Sequence, residues 1–357
     1  MLAEPEPTAP LAVLWCPGCT LSQLSVVVDP DVLYTGYRFR AGASDAWRAH
    51  VADLASTSGP TGRILDIAAN DGALLRAFRT QGWDILGVDP APASDDMPLI
   101  AASWNHDTAR LARDLAGPFD IVTATNVLGH VDNPVDFLAA CQDVLVDDGE
   151  VIVEAPYVGA LLKGNQFDTV YHEHLSYWTV TAMREAARRA DFYVSQLEWL
   201  PDIHGGSYRY RLRQGAIRRP TTWIERVPDL DRYATYDTFG QRIGSLLENA
   251  EALLGGILDY QAITGYGAAA KGAVTLNAMP SVAKRITRVI DDTLAKQGLY
   301  MPGVAAIVNA PDDVYWPDLA LLWLLSWNNA DTLKEKAYKR GFRGDFFTML
   351  PKPKVFR

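Results

Sequence analysis

Cysteine is scarce in this 357-residue sequence: Cys16, Cys19 and Cys141 are an odd set, too small to staple a secreted scaffold. A reducing compartment is expected, the cytoplasm. Long apolar runs are lacking as well. The longest near the start, Leu11 to Trp15, is too short for the core of a signal sequence, and no stretch approaches a membrane span. Positive charge is in deficit, with 33 Lys and Arg against 43 Asp and Glu and a formal net charge of -10. That balance disfavours tight nonspecific binding to nucleic acid or an anionic membrane and leaves a small molecule as the expected partner. A local basic pocket for one phosphorylated ligand is compatible with it.

The length suits two domains with an appendage. After a loose, Pro-rich start, "CPGCTLSQL" reads as a knuckle in which Cys16 and Cys19 have the spacing of half a tetrahedral zinc site. A second cysteine pair is lacking and Cys141 falls in a helical stretch, so the knuckle supplies a half-site only. From Arg63 short apolar strands ("RILDIAA", "DILGVDP", "FDIVTATNVL", "GEVIVEAPY") alternate with helices ("GALLRAFRTQG", "PVDFLAACQDVL"). Such alternation predicts an α/β domain with a parallel sheet. "DFYVSQLEWLP" and "GGSYRYRLRQ" read as its antiparallel finish, and Asp229 to Tyr260 as a long connecting helix. "AITGYGAAAKG", "RVIDD", "AAIVN" and "LALLWLL" then predict a second, smaller α/β domain. The boundaries expected are 1–58 for the knuckle-like head and a helix, 59–215 for the larger domain, and 216–357 for the connecting helix and second domain.

In "LDIAANDGALL" a strand ends at Asp66, small residues follow, and Gly72 opens a helix. Small residues allow close backbone approach, and helix N-terminal amides favour polar or anionic groups. About twenty residues on, Asp89 closes the next strand, where a carboxylate takes both hydroxyls of a ribose. The loop holds Ala68, Ala69 and Asn70 and lacks the glycines that cradle a pyrophosphate. A nucleoside without phosphate, S-adenosylmethionine, suits that order, and the loop resembles the first motif of class I methyltransferases, with Ala68 where those enzymes commonly carry glycine.

"GYGAAAKG" places Gly265, Gly267 and Ala270 in dinucleotide-fingerprint spacing, with Asp291 about twenty residues later. NAD or the nucleotide of a substrate fits it, and packing glycines are the plainer alternative. Lys271 beside the helix start favours a phosphorylated ligand. "VYHEHLSYWT" concentrates proton-trading groups, and its residues alone allow a metal site, an acid/base centre or the polar edge of a packed strand. If the segment is extended, His172 and His174 share one face and Glu173 the other, so all three act on one atom only if the chain turns.

Taken in order, "CPGCTLSQL", "YTGYRFRAG", "ANDGALL", "LGVDP", "NVLGHV", "EAPY", "FDTVYHEHLSYW", "HGGSYR", "GYGAAAKG", "KQGLYMPG" and "SWNNAD" resemble the motifs of the sugar C-methyltransferases of antibiotic deoxysugar pathways, similar to the D-tetronitrose and L-mycarose C-3 enzymes. The resemblance spans nearly the whole chain from Cys16. It implies a zinc-knuckle head, a class I methyltransferase Rossmann-like domain and a second Rossmann-like domain. It also implies S-adenosylmethionine-dependent methylation of a dTDP-linked 4-keto-deoxysugar at the carbon beside the ketone, with the sugar nucleotide between the domains. Those enzymes carry a further upstream cysteine pair, which "MLAEPEPTAPLAV" lacks, so zinc is not carried over.

By resemblance the base matches His174, with Tyr171 and Glu173 positioning the sugar and the imidazole. Asn126 and His130 follow the third strand, at the carboxyl edge where α/β ligands bind, and by resemblance line the pocket between donor and sugar. Tyr37 is pointed to by the family as a residue closing over the site. His204, Ser207 and Arg209 offer a glycine turn beside donors that suit a diphosphate or a ketone oxygen, Arg209 being alternatively a plain surface charge. Two other classes are open from sequence, a nicotinamide-dependent oxidoreductase and a non-catalytic nucleotide-binding partner. Assembly with further copies of the chain is also left open.

Overall fold

The computed structural model describes residues 6–29, 32–33, 42, 44–94, 96–215, 225–258 and 263–357. The chain divides into two compact units. One comprises residues 12–159 and 172–231, the other residues 1–11, 160–171 and 232–357.

The first unit begins with a hairpin, β1 (Val13–Trp15) and β2 (Ser22–Leu24), which turns through the Cys16–Cys19 knuckle. Helix α1 (Asp45–Thr57) follows, capped by the Ser44 hydroxyl on the Trp47 N–H. Next come β3 (Arg63–Ile67), α2 (Ala73–Thr80), β4 (Asp84–Asp89), β5 (Leu99–Ala101), α3 (His106–Ala116) and β6 (Phe119–Thr125). Then α4 (Pro134–Gln142), β7 (Leu145–Pro156) and α5 (Val158–Lys163) lead to the short β8 (Ser176–Tyr177), α6 (Val180–Arg189), β9 (Phe192–Leu200) and β10 (Ser207–Gln214). Seven strands form one sheet in the order β5-β4-β3-β6-β7-β10-β9, parallel except for β10, which runs antiparallel to both neighbours. The expected antiparallel finish is present. Helices on both faces explain why the central strands are nearly all apolar rather than alternating. On one face α1 lays Val51, Leu54 and Ala55 against Ile64, Ile121 and Ile152.

The second unit contains α7 (Tyr233–Leu258), β11 (Ile263–Tyr266), α8 (Ala270–Asn277), α9 (Pro280–Ala283), β12 (Arg288–Ile290), β13 (Ile307–Asn309), β14 (Leu321–Leu324), α10 (Ala330–Lys339), β15 (Asp345–Thr348) and β16 (Lys354–Phe356). Its sheet runs β13-β12-β11-β14-β15-β16, all parallel but for β16. Strand for strand this repeats β5-β4-β3-β6-β7-β10 of the first unit.

Three expectations are corrected. The long helix starts at Tyr233, and its described part ends at Leu258. The third strand of the larger sheet ends at Thr125: Asn126 takes a left-handed conformation and Leu128–His130 a 3-10 turn, so "NVL" is not strand. The histidine stretch is not extended. It turns at 171–173 and regains strand form only at β8, where Ser176 and Tyr177 pair with Gln23 and Ser22.

The knuckle hairpin thereby backs the histidine stretch. Leu24 N–H donates to the Leu175 carbonyl at 2.9 Å, and the buried Thr20 and Thr179 hydroxyls lie 2.6 Å apart. Thr179 also caps α6, accepting the Ala182 N–H at 2.8 Å. Replacing it by valine removes a cap and a buried hydrogen bond together, and the Thr179→Val variant is expected to lose about 2 kcal/mol of unfolding free energy in urea titration. An unchanged midpoint would refute this account of the docking.

Candidate active site

The carboxyl edge of the first unit's sheet gathers most of the cofactor-side residues expected from sequence. Asp66 is 3% exposed, and its Oδ1 accepts a 2.7 Å hydrogen bond from the Thr123 hydroxyl. Burial pushes its carboxyl up to about 7, the nearby charges of Asp89 and Glu154 adding to the shift and the Thr123 bond opposing it. The loop beyond β3 holds Ala68 at φ 60°, Asn70 at φ 52° and Gly72 at φ 75°. The left-handed backbone at Ala68 is the physical reason glycine suits this position, and alanine there stores roughly 1 kcal/mol or more of strain. A Cβ on Gly72 would collide with the Met97 side chain, so α2 opens where only glycine fits. Asp89, at the end of β4, is pinned on both oxygens: Oδ2 accepts the Asn70 N–H at 2.8 Å and Oδ1 the Ala91 N–H at 2.7 Å. Asn126, also left-handed, donates its N–H to the Glu154 carbonyl at 2.8 Å, and its buried Oδ1 has no hydrogen-bond partner among the described residues.

In the loop after β6 the His130 ring meets the His174 ring edge to face, with centroids 5.0 Å apart. Burial lowers His130 to about 4, against an opposing hydrogen bond to the Glu173 backbone, so its imidazole is neutral at physiological pH. The turn at 171–173 lets His172, Glu173 and His174 leave the two-faced arrangement of an extended segment. The division between the units falls between Tyr171 and His172.

The "HGGS" turn runs through three consecutive left-handed residues, His204, Gly205 and Gly206, which returns the chain tightly into β10. The Ser207 hydroxyl donates to the Ile203 carbonyl at 2.9 Å. Arg209 departs from both expectations for it. It is 3% exposed and stands opposite Glu154 on β7 and Glu198 on β9. Its Nε donates to Glu154 at 2.6 Å and its Nη1 to Glu198 at 2.8 Å, so the guanidinium is committed to carboxylates within the fold. His50 of α1 completes the group at 2.8 Å from Glu154 Oε2. His50 and Glu154 were invisible as site residues in the sequence. The one signal was alternation, which sets Glu154 on the face of Ile152.

In the second unit Gly267 at φ 94° turns the chain out of β11, and a Cβ there would lie 2.6 Å from the Ser326 hydroxyl. Asp291 is held much as Asp89 is, Oδ2 accepting the Ala268 N–H at 2.7 Å and Oδ1 the Thr293 N–H at 2.8 Å. Lys271 is not presented to a phosphate. Its Nζ is buried without a hydrogen bond, 5.1 Å from the centre of the Trp327 ring and attracted by Asp168, whose Oδ2 accepts the Trp327 Nε1–H at 2.6 Å. Burial lowers Lys271 and raises Asp168 to about 6. Tyr37 lies outside the described residues. Among the described residues no group of three or more His, Cys, Asp or Glu side chains is placed to hold a metal ion, and Cys16 with Cys19 falls short of a tetrahedral zinc site. No helix among them is long and apolar enough to cross a membrane.

Asp66 binds its proton more tightly folded than unfolded. It therefore contributes stability below its unfolded value of 3.8 and loses it as pH rises to about 7, at roughly 1.4 kcal/mol per pH unit. Asp66→Asn removes that dependence. The variant is expected to melt above the parent at pH 8, with the gap closing as pH falls toward about 4; a gap that does not change with pH would contradict the buried, proton-holding Asp66.

Comparison with known proteins agrees with this geometry. A methyltransferase domain model matches residues 38–197, and a model described as a C-methyltransferase C-terminal domain matches residues 202–351. The C-methyltransferase NovU of Streptomyces niveus is 30% identical over 98% of this chain and 88% of its own length. The ubiquinone biosynthesis O-methyltransferase of Roseobacter denitrificans is 32% identical over 52% of this chain and 76% of its own length. Among solved structures, the 1,6-didemethyltoxoflavin-N1-methyltransferase of Burkholderia thailandensis covers 55% of this chain and 95% of its own at 15% identity and a TM-score of 0.40. With a full-length relative and both domain models in register along it, the chain belongs to the C-methyltransferase family of S-adenosylmethionine-dependent enzymes.

Proposed function

We propose that this C-methyltransferase acts on a dTDP-linked 4-keto-deoxysugar and methylates the carbon beside its ketone, at C-3. The observation that carries the reading is the packing of His174 against His130, a buried imidazole kept neutral, beside the carboxyl edge on which the donor residues lie. A carbon nucleophile needs a base and a neighbour that does not compete as a cation, and this pair supplies both.

S-adenosylmethionine supplies an electrophilic methyl group on sulfonium. The first unit fits it: a loop without a phosphate cradle, Asp89 fixed to take ribose hydroxyls, an unpaired Asn126 Oδ1, and the buried Asp66 carboxyl to meet the donor's positive charge. In the reaction His174 takes the proton from the carbon beside the ketone, and the electron pair moves onto the ketone oxygen as an enolate. The enolate carbon then attacks the methyl carbon, the carbon–sulfur bond breaks with its electrons on sulfur, and His174 returns its proton to solvent. Tyr171 and Glu173 orient the sugar and the imidazole, His204 contacts the sugar nucleotide, and Tyr37 closes over it, while Ser207, buried with its hydroxyl on the Ile203 carbonyl, shapes the turn. We read the second unit's sheet as a Rossmann-like domain for the substrate's nucleoside, Asp291 serving there as Asp89 does for the donor, at the turn made by Gly267. The head of this family, a zinc knuckle, is represented here by the Cys16–Cys19 hairpin. The cytoplasm, where nucleotide sugars are made and used, suits such an enzyme.

The test is made in deuterium oxide with dTDP-4-keto-2,6-dideoxyglucose. The protein should exchange the proton beside the ketone and, with S-adenosylmethionine added, yield a product methylated on carbon. His174→Ala should lower both exchange and turnover by roughly 100-fold or more, while S-adenosylmethionine affinity stays within a few-fold of the parent. Methylation of oxygen, or exchange that survives the substitution, would overturn the assignment.

A further inference from the structure

The face of the first sheet covered by α1 carries Ile64, Ile121 and Ile152, buried in one cluster with Val51 and Leu54. Strand alternation sets the residues two further on upon the same face, one step nearer the carboxyl edge. These are Asp66, Thr123 and Glu154. Asp66 lies beside Thr123, whose neighbour on β7 is Ile152; Glu154 lies beside Thr125, one residue pair nearer the carboxyl edge on the same face. Across the antiparallel strands Arg209 lies directly opposite Glu154, and Glu198 opposite Arg209. The polar group is buried at its centre, Glu154 being 0% exposed.

Asp66 and Glu154 share this buried face and repel, and among the described residues only Glu154 is bonded to basic side chains. Glu154 Oε2 meets His50 at 2.8 Å and Oε1 meets Arg209 Nε at 2.6 Å. Asp66 has the Thr123 hydroxyl. The consequence is a division of labour: Glu154 is held below the usual carboxylate range by His50 and Arg209 against the cost of its burial, while Asp66 is held far above it. The groups that face one another here are Asp66 on β3, Asp89 on β4, Glu154 on β7, Glu198 on β9, Arg209 on β10 and His50 on α1, with His204 reaching the same helix through Trp47, whose ring stands between the rings of His50 and His204 at 5.2 and 6.2 Å. The helix is also tied to the donor loop itself, since Gly42, just before it, donates its N–H to Asp71 Oδ2 at 2.9 Å.

We infer that Glu154 is a positioning residue for the donor: clamped between His50 and Arg209, it sets a fixed negative charge on the sheet face it shares with Asp66 while its main chain holds Asn126, and so couples donor binding to protons through α1. The inference rests on the proposed contact between Asp66 and the cationic donor. Free protein near neutral pH carries Asp66 partly protonated, and the donor's positive charge expels that proton. Removing the charge of Glu154 relieves Asp66 and lets it ionise at lower pH. Removing His50 leaves Glu154 less compensated and has the opposite effect.

The experiment is titration calorimetry of the full chain with S-adenosylmethionine between pH 5.5 and 8.5, in buffers of different ionisation enthalpy so that proton release is counted. The parent should reach constant affinity on the alkaline side and weaken by about tenfold per pH unit on the acid side. Glu154→Gln should move the bend to lower pH, and His50→Leu to higher pH. The double variant Glu154→Gln/Arg209→Met, which leaves no unpaired buried charge, should move it in the same direction as Glu154→Gln and serves if the single variant does not fold. A merely structural network predicts affinity lowered by one factor at every pH with the bend unmoved, and that result would overturn the inference. Asp66→Asn separates the two claims. It should flatten the profile; a bend that persists without Asp66 would instead overturn the assignment of Asp66 to the donor.

Discussion

The pairing of Glu154 with Arg209 is the constraint on which the site depends. Both charges are out of water, and desolvating each costs several kcal/mol, recovered only when geometry is close and the remaining polar atoms are bonded. The antiparallel register of β7 and β10 sets the two side chains opposite one another, and the Glu154 main chain in turn holds the left-handed Asn126 that ends the neighbouring strand. A slip of one residue between these strands would turn the arginine to the other face and leave a bare carboxylate in the interior. The reversal of β10 at the Gly205–Gly206 turn, the seating of α1 through His50, and the charge environment of Asp66 all follow from that register.

The two units solve the same problem twice and differ where chemistry demands. Ala68 and Gly267 occupy matching places, each donating its N–H to the carbonyl that precedes the strand-ending acid, Val88 before Asp89 and Ile290 before Asp291. Both acids accept two backbone N–H groups, which fixes the carboxylate plane, and Asp291 also has Lys296 Nζ at 3.9 Å. The place of Asp66 is taken in the second sheet by Gly265, and a Cβ there would press on Val289 and Leu325. A buried acid stands near the end of the strand in the first sheet, and close apolar packing stands in the same place in the second.

The histidine stretch is shaped by a local turn backed by a distant element. The turn at 171–173 frees the histidine stretch from strand alternation, and the β2–β8 pairing then fixes the residues that follow it. A hairpin that reads from sequence as a metal knuckle thus has a structural task that needs no metal: its backbone completes a small sheet behind His174. His130 is neutral for a plain reason, burial, which lowers it to about 4.

The central strands of both sheets were legible because buried parallel strands are continuous apolar runs; the short edge strand β5, the helices α3 and α10 and the last strands β15 and β16 were not read from sequence. The acids at the ends of β3 and β4 and the small-residue loop were legible for the same reason, since a ligand at a parallel sheet's carboxyl edge demands those residue types at those spacings. What the sequence determined alone was therefore the order of the central elements, the acids that end two neighbouring strands, and the family. Only tertiary structure decided the fate of the charges. Arg209 and Lys271 look in sequence like donors for a phosphate, yet one is opposite two glutamates by strand register and the other is buried beside Asp168 and Trp327. His50, 104 residues from Glu154, carries no local mark at all. A side chain's ionic partner is set by which strands and helices pack together, and spacing along the chain does not encode that.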